Sequence, residues 1–304
     1  MTKLFEKAAL AGVGLIGSSL ARVLKKKGMV GTIAGVSRSE ENRRMALELG
    51  IADEMHAGIA DAVRDADAVF LCLPVGSMGA AAAEMAPFLK PGALVTDVGS
   101  VKTKVIEAVA PVLPSDVHFV PAHPVAGTEK SGPSNGFAEL FEGRWCIITP
   151  TAETDSEAVA LVRRVWEEAG MNVEEMTPQR HDTIMALVSH LPHLIAYTIV
   201  GTAADLEEET QEEVIKFSAG GFRDFTRIAG SDPVMWRDIF LNNADAVLEV
   251  LQRFSEDLTA LQRAIRKKDG DTLLDLFSRT RLIRRQVIEA RQDQPENEKL
   301  LLKK

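Results

Sequence analysis

Three glycines near the start, Gly12, Gly14 and Gly17, constrain this 304-residue chain more than any other feature. They follow an apolar run, Ala8–Ala11, and open an amphipathic stretch, Leu15–Lys27. At such a strand-to-helix junction the first glycine permits a tight turn and the second admits a pyrophosphate. The third lets helix and strand approach closely. Around Gly14, Leu15 and Ile16 the new helix offers unpaired amides and the positive end of its dipole to phosphate. Alone the pattern is weak, but between two strand-like runs it predicts dinucleotide binding.

The alternation continues after the motif. Gly31–Val36, Ala68–Leu73, Leu94–Asp97, His118–Val120 and Trp145–Ile148 read as further strands. Helical patterns fall between them at Glu40–Leu49, Ala80–Phe88, Lys104–Ala110 and Glu157–Gly170. Strands alternating with helices predict parallel pairing through right-handed crossovers, hence a Rossmann-type doubly wound α/β sheet over residues 1–177. From Pro178 onward no strand pattern remains, and residues 178–304 read as an all-α domain. Pro192 sits inside the apolar run to Thr202 and is expected to kink that helix. Val247, Leu251, Phe254, Leu258, Leu261 and Ile265 then repeat at four and three, and Leu273, Leu276, Thr280, Ile283 and Val287 repeat the seam after KKDGD. Two such helices joined at Gly270 predict an antiparallel hairpin that packs against its copy in a homodimer.

The residue after the second strand bears on which nicotinamide cofactor binds. An acid there would take the ribose 2′-hydroxyl and repel a 2′-phosphate. The chain instead has Ser37, Arg38 and Ser39, a hydroxyl and a guanidinium suited to phosphate, which leans toward NADP or dual use over strict NAD. Arg38 stacked on adenine with NAD bound is the other reading.

Bulk properties narrow the partners. A net charge of −9 disfavours nucleic acid, whose binding needs clustered Lys and Arg. Cys72 and Cys146 lie in apolar runs and read as buried free thiols. Glu6 interrupts what could pass for a leader, and no run approaches the ~20 apolar residues of a membrane span, so a cytoplasmic protein without a membrane partner is expected. His190 and His193 lie three apart without a third ligand at usable spacing, so no metal is expected. The run Glu207–Glu213 reads as a solvated acidic stretch, and the tail from Gln292 as frayed. Trp236 suits core or pocket equally.

The strand Leu94–Asp97 leads into DVGSVK and the next strand is read as ending at His123, so Ser100, Lys102 and His123 are expected at the crevice at the carboxyl ends of the sheet. A hydroxyl and an imidazole from adjacent strand ends can contact one substrate oxygen. His123 opens HPVAGTEKSG, a loop stretch with Glu129 and Lys130 close by. With GVGLIGSSL, DVGSVK, SHLPHLIA and GFRDFTRIAGSDPVMWRDI in order along nearly the whole chain, the sequence resembles the prephenate and arogenate dehydrogenases of tyrosine biosynthesis, nearest the monofunctional bacterial cyclohexadienyl type. No segment before the first strand suggests a mutase domain, and the short tail suggests no regulatory domain.

That resemblance implies roles. His123 matches the histidine that accepts a hydrogen bond, and the proton, from the ring 4-hydroxyl, and Ser100 the serine that orients this hydroxyl and the nicotinamide. Arg227 matches the arginine that grips a substrate carboxylate, His193 a second substrate-holding histidine, and Glu129 an acid implicated in gating or specificity. Arg223 stands where some relatives carry lysine, so its geometry can differ. An imidazole suits the task because its unperturbed pKa lies near neutrality. Two other readings compete: another reductase, of the β-hydroxyacid or imine type, and a non-catalytic cofactor-binding sensor.

Overall fold

The computed structural model describes residues 3–128, 130–205, 213, 216–217 and 219–289. Glu129, most of the acidic run Glu207–Glu213 and the tail from Gln292 lie outside the described residues.

Six strands form one parallel sheet: β1 (Phe5–Ala11), β2 (Val30–Val36), β3 (Glu54–His56), β4 (Ala68–Leu71), β5 (Leu94–Asp97) and β6 (His118–Val120). Their order is β3-β2-β1-β4-β5-β6. The chain winds outward from β1 to one edge and returns to β4, so the switch point lies between β1 and β4, where open sheets of this kind bind ligands. β1 shows why both faces need cover. Ala8 and Leu10 enter one core with Leu20 and Leu24, while Ala9 and Ala11 enter the other with Met78, Met85 and Val105. Side chains alternate along a strand, so a sheet apolar at every position is stable only between two helical layers. Those layers come from α1 (Leu15–Lys26), α2 (Glu40–Glu48), α3 (Ile59–Val63), α4 (Val75–Met85), α5 (Thr103–Val109) and α6 (Ser156–Glu168). Helix α4 starts five residues before its expected position, since Gly76 and Gly79 obscure its pattern. A Cβ on Gly79 would sit 2.9 Å from the Ala108 side chain, a close approach between α4 and α5.

Trp145–Ile148 does not extend the main sheet. A separate three-stranded sheet joins β7 (Ala122–Val125), β8 (Trp145–Ile148) and β9 (Asn172–Glu175), with β7 antiparallel and β9 parallel to β8. His123 therefore does not end a strand of the parallel sheet. It lies within β7, opposite Ile147. Pro121, without an N–H, ends the β6 ladder, and its carbonyl accepts from Thr149 N at 2.9 Å as pairing passes to β8.

After β9 the chain is helical: α7 (Pro178–Met185), a π-helical turn over Ala186–His190, and α8 (Leu191–Ala204) run as one rod. The break expected at Pro192 is absorbed just before it by the π turn, which loosens the hydrogen-bond ladder where proline removes a donor. This 27-residue rod, Pro178–Ala204, is long and apolar enough to cross a membrane by length and composition, contrary to the reading of the sequence. Its face carrying His181, Asp182 and His190 is nevertheless buried in protein. There follow α9 (Gly220–Thr226), a 3₁₀ turn at Arg227–Gly230, α10 (Pro233–Asn242), α11 (Ala244–Lys267) and α12 (Gly270–Glu289).

Contacts divide the chain into two compact units, Met1–Val247 and Leu248–Lys304. Within the second, the rest of α11 and α12 meet at Lys268–Asp269, where the Asp269 side chain accepts from Thr272 N at 3.1 Å. The seams are only partly covered within one chain: Leu251, Phe254, Leu261, Leu273 and Leu276 are half-buried, whereas Leu258, Ile265 and Ile283 are exposed, as are the neighbouring Leu274, Phe277 and Leu282.

Candidate active site

The glycine motif is shaped by what surrounds it. Gly12 has φ 104°, and a Cβ there would lie 2.3 Å from the Cys72 carbonyl oxygen; one on Gly17 would lie 2.1 Å from the Gly12 oxygen. Only glycine fits at either position. A Cβ on Gly14 would meet no protein atom within 4 Å, so this face is open at the mouth of α1, with Leu15 and Ile16 beside it. The cradle fits a dinucleotide pyrophosphate. Beyond β2, the Ser39 hydroxyl caps α2 by accepting from Asn42 N at 3.2 Å. Arg38 is exposed, and Arg43, which sequence reading passed over, donates from Nη1 to the carbonyls of Ser37 at 2.8 Å and Arg38 at 3.0 Å. The loop that would meet the ribose is thus held by a cation from α2.

A buried ion pair anchors the carboxyl end of β5. Lys102 Nζ bonds Asp97 Oδ2 and donates to the Ala122 carbonyl at 2.7 Å, with both side chains of the pair fully buried. Asp97 also accepts from Gly99 N at 2.8 Å and Ala122 N at 3.2 Å. These contacts tie the loop carrying Ser100 to the start of β7, and so to His123.

His123 is buried, with Nδ1 2.8 Å from His181 Nε2 on α7. His181 Nδ1 in turn lies 2.8 Å from Asp182 Oδ1. The Asp182 carboxylate accepts from Lys102 N at 2.8 Å and Thr103 N at 2.9 Å, the first amides of α5. Burial, then the neighbouring His181, Lys102 and His190, hold His123 well below the ordinary histidine range. It is therefore neutral near pH 7 and free to accept a proton. Burial also lowers His181, against the pull of Asp182.

The helical side adds an aromatic wall. His190 is fully buried and its Nδ1 lies 3.1 Å from Asn243 Nδ2, which also donates to the Asp182 carbonyl at 2.9 Å. Burial pushes His190 down to about 4. Its Nε2 makes no hydrogen bond of good geometry, although the Ser100 backbone is close enough to favour protonation. His193 stacks on Trp236 with ring centroids 3.6 Å apart and donates from Nδ1 to the Ser189 carbonyl at 2.9 Å, leaving Nε2 as an acceptor. Trp236 is buried, and its Nε1 also lacks a partner among the described residues. It joins core and site together, packing with Val101 and Ile239 while its ring faces both His190 and His193.

Burial lowers His193, and the positive charge of Arg227 lowers it further. Arg223 is different: it is exposed and its Nε pairs with Asp224 Oδ1 at 3.0 Å. The structure thus ties the Ser100 loop and His123 together through Lys102, places His193 and His190 against Trp236, and leaves Arg223 at the surface. Sequence reading missed His181, Asp182 and Asn243. The only local hint was adjacent His and Asp residues at the start of a helix, and adjacent residues do not ordinarily face each other there.

Two family models match the chain. One describes a prephenate dehydrogenase nucleotide-binding domain and covers residues 20–175; the other describes a prephenate dehydrogenase dimerization domain and covers residues 177–279. A cyclohexadienyl dehydrogenase of Zymomonas mobilis is 45% identical over 280 residues, 92% of this chain and 95% of that protein. A solved prephenate dehydrogenase of Aquifex aeolicus, in complex with hydroxyphenyl propionate and NAD+, aligns at TM-score 0.86 and 38% identity over 93% of this chain and 98% of that one. Synechocystis arogenate dehydrogenase aligns at TM-score 0.76 and 31% identity, covering 92% and 99%.

Proposed function

The chain belongs to the prephenate dehydrogenase family, and on that premise we propose how its residues divide the work of the reaction. The enzyme is an NAD-dependent oxidoreductase that converts a cyclohexadienyl substrate, prephenate or arogenate, to 4-hydroxyphenylpyruvate or tyrosine by oxidative decarboxylation. NAD held at the Gly12, Gly14 and Gly17 cradle would supply the hydride acceptor for oxidation at the carbinol carbon, with the ring carboxylate lost as carbon dioxide.

His123 Nε2 accepts the proton of the ring hydroxyl, holds it while the ring becomes aromatic, and returns it to the phenol oxygen. Support comes from its burial beside His181, which keeps the imidazole neutral at working pH. Ser100 orients the same hydroxyl from the loop that Lys102 and Asp97 hold in position. Arg227 grips a substrate carboxylate, and its electrostatic reach to His193 supports that role. His193 offers Nε2 as an acceptor from its stack on Trp236. The buried Trp236 Nε1, which lacks a partner among the described residues, suits a pocket completed by a polar ligand. Glu129 keeps the gating or specificity role its motif implies. Arg223, exposed and paired with its neighbour Asp224 at 3.0 Å, is a second cation that can take a substrate carboxylate.

Gly12, Gly14 and Gly17 cradle the cofactor pyrophosphate, with Leu15 and Ile16 at the helix mouth. On the ribose side, Ser37, Arg38 and Arg43 present no acid, which favours use of both NAD and NADP. The domain boundary falls near residues 177 and 178. The exposed apolar residues of α11 and α12 mate with a second copy to form a homodimer. The protein works in the cytoplasm.

One assay tests the assignment: absorbance of reduced cofactor with prephenate or arogenate, each with NAD+ and NADP+. Turnover is expected with at least one substrate, and KM values for the two cofactors are expected within about an order of magnitude. A strong NAD bias would overturn the dual-use reading, and no turnover with either substrate would overturn the enzymatic one. Arg227→Ala should mainly raise KM for the substrate, by about 10–100-fold, because a charge-assisted pair contributes more to binding than to the chemical step. An unchanged KM would assign the carboxylate to another anchor.

A further inference from the structure

His123 makes a hydrogen bond to a second buried histidine, and that partner is itself bonded to a carboxylate. We infer that Asp182 and His181 form a positioning relay that fixes the tautomer of His123, so that Nδ1 carries the proton and Nε2 presents a lone pair to the substrate hydroxyl. The inference rests on the reading of His123 as proton acceptor and extends it to two residues that no motif singled out.

The assignment follows from counting donors along the chain of contacts. A carboxylate only accepts, so the 2.8 Å contact from His181 Nδ1 to Asp182 Oδ1 requires the proton to sit on His181 Nδ1. Asp182 is held in its charged form by donors, namely His181 and the amides of Lys102 and Thr103. A neutral His181 protonated on Nδ1 has only a lone pair at Nε2. Its 2.8 Å contact with His123 Nδ1 must then be donated by His123. The remaining nitrogen of His123, Nε2, is left as the acceptor. Were His181 an imidazolium, its Nε2 would donate instead and His123 would turn an N–H toward the substrate, the wrong form for a base. Burial of His181 and the nearby Lys102 ammonium disfavour that cation.

The relay has a second effect during turnover. When His123 gains the hydroxyl proton, its Nδ1–H already points at a lone pair backed by a carboxylate, so the imidazolium is stabilised without rearrangement. Asp182 couples this to the fold, since the same carboxylate holds the first turn of α5 and the end of the Ser100 loop. The charged and titratable groups around the pair are Asp97, Lys102, Asp182 and His190.

The test compares His181→Leu, which removes the acceptor, with His181→Gln, whose Oε1 can take its position. Histidine-selective ¹⁵N spectra of the full-length enzyme, with His123 assigned by its loss in His123→Asn, report the tautomer directly. Wild type and His181→Gln are expected to show the Nδ1–H form of His123, and His181→Leu a mixture or the Nε2–H form. In parallel, kcat of His181→Leu should fall about 10–100-fold with KM within about threefold. His181→Gln should recover most of the loss. An Nε2–H tautomer at His123 in wild type overturns the relay, as does an unchanged kcat in His181→Leu. A Gln variant no better than the Leu variant also overturns it, leaving a packing role only. The tautomer is read without substrate, so absence of turnover in the wild type would overturn the functional assignment while the relay stood or fell on its own spectra.

Discussion

Replacing His123 with asparagine lowers kcat by about 10²–10⁴ while KM changes little, if the imidazole takes the hydroxyl proton. The substitution is chosen to keep the scaffold. An asparagine amide at the Nδ1 position can still donate to His181 Nε2, so β7 and α7 stay joined, and only the acceptor at Nε2 is lost. The pH profile carries a second check. Burial and the nearby Lys102 ammonium disfavour the protonated form, so the working neutral form is already full at pH 7. Activity therefore falls only as pH drops through the lowered value, and the acid limb of kcat/KM in the wild type lies below the usual histidine pKa of about 6.5. A near-wild-type kcat in the variant would remove His123 from the chemistry, and an acid limb above that value would assign the limb to another group.

The second large effect is on stability. Lys102→Met should cost about 3–5 kcal/mol, because it leaves the Asp97 carboxylate buried with two backbone amides and no cation. Denaturant midpoints at constant pH measure the loss. Adding Asp97→Leu in the same chain should recover much of it, since the expense of a buried pair lies mostly in stranding one partner rather than in losing both. A loss under about 1 kcal/mol for Lys102→Met would mean that the carboxylate is relieved by water or by a shift of the Ser100 loop.

Much of this architecture was legible in local residue order. The glycines announced the switch point because Gly12 needs a positive φ, Gly17 a close approach to the Gly12 carbonyl and Gly14 an open face, and β4, β5 and β6 follow from apolar runs bounded by turn residues. The second sheet was not legible. β7 is four residues long and contains Pro124, and its pairing with β8 depends on Pro121 ending the neighbouring ladder. The same limit hid His181. Its meaning depends on α7 crossing β7, 58 residues distant in sequence, and no periodicity encodes that encounter. Arg43 was passed over for a related reason: it acts through backbone carbonyls of residues that drew attention for their side chains. The seams of α11 and α12 correctly indicated two helices, but a heptad-like spacing does not say whether its mate is the adjacent helix or another chain.

The π turn at Ala186–His190 explains how one rod serves the site twice. In an unbroken α-helix, nine residues from His181 to His190 would advance the direction by about 900°, half a revolution out of phase, and the two rings would face opposite ways. A wider turn advances each of its residues less, which takes up about a quarter revolution and swings His190 back toward the side that His181 occupies. The helix thus works as a phase shifter: one irregular turn lets two stretches of a single cylinder address the same neighbour, so that Asp182 and His190 can share Asn243.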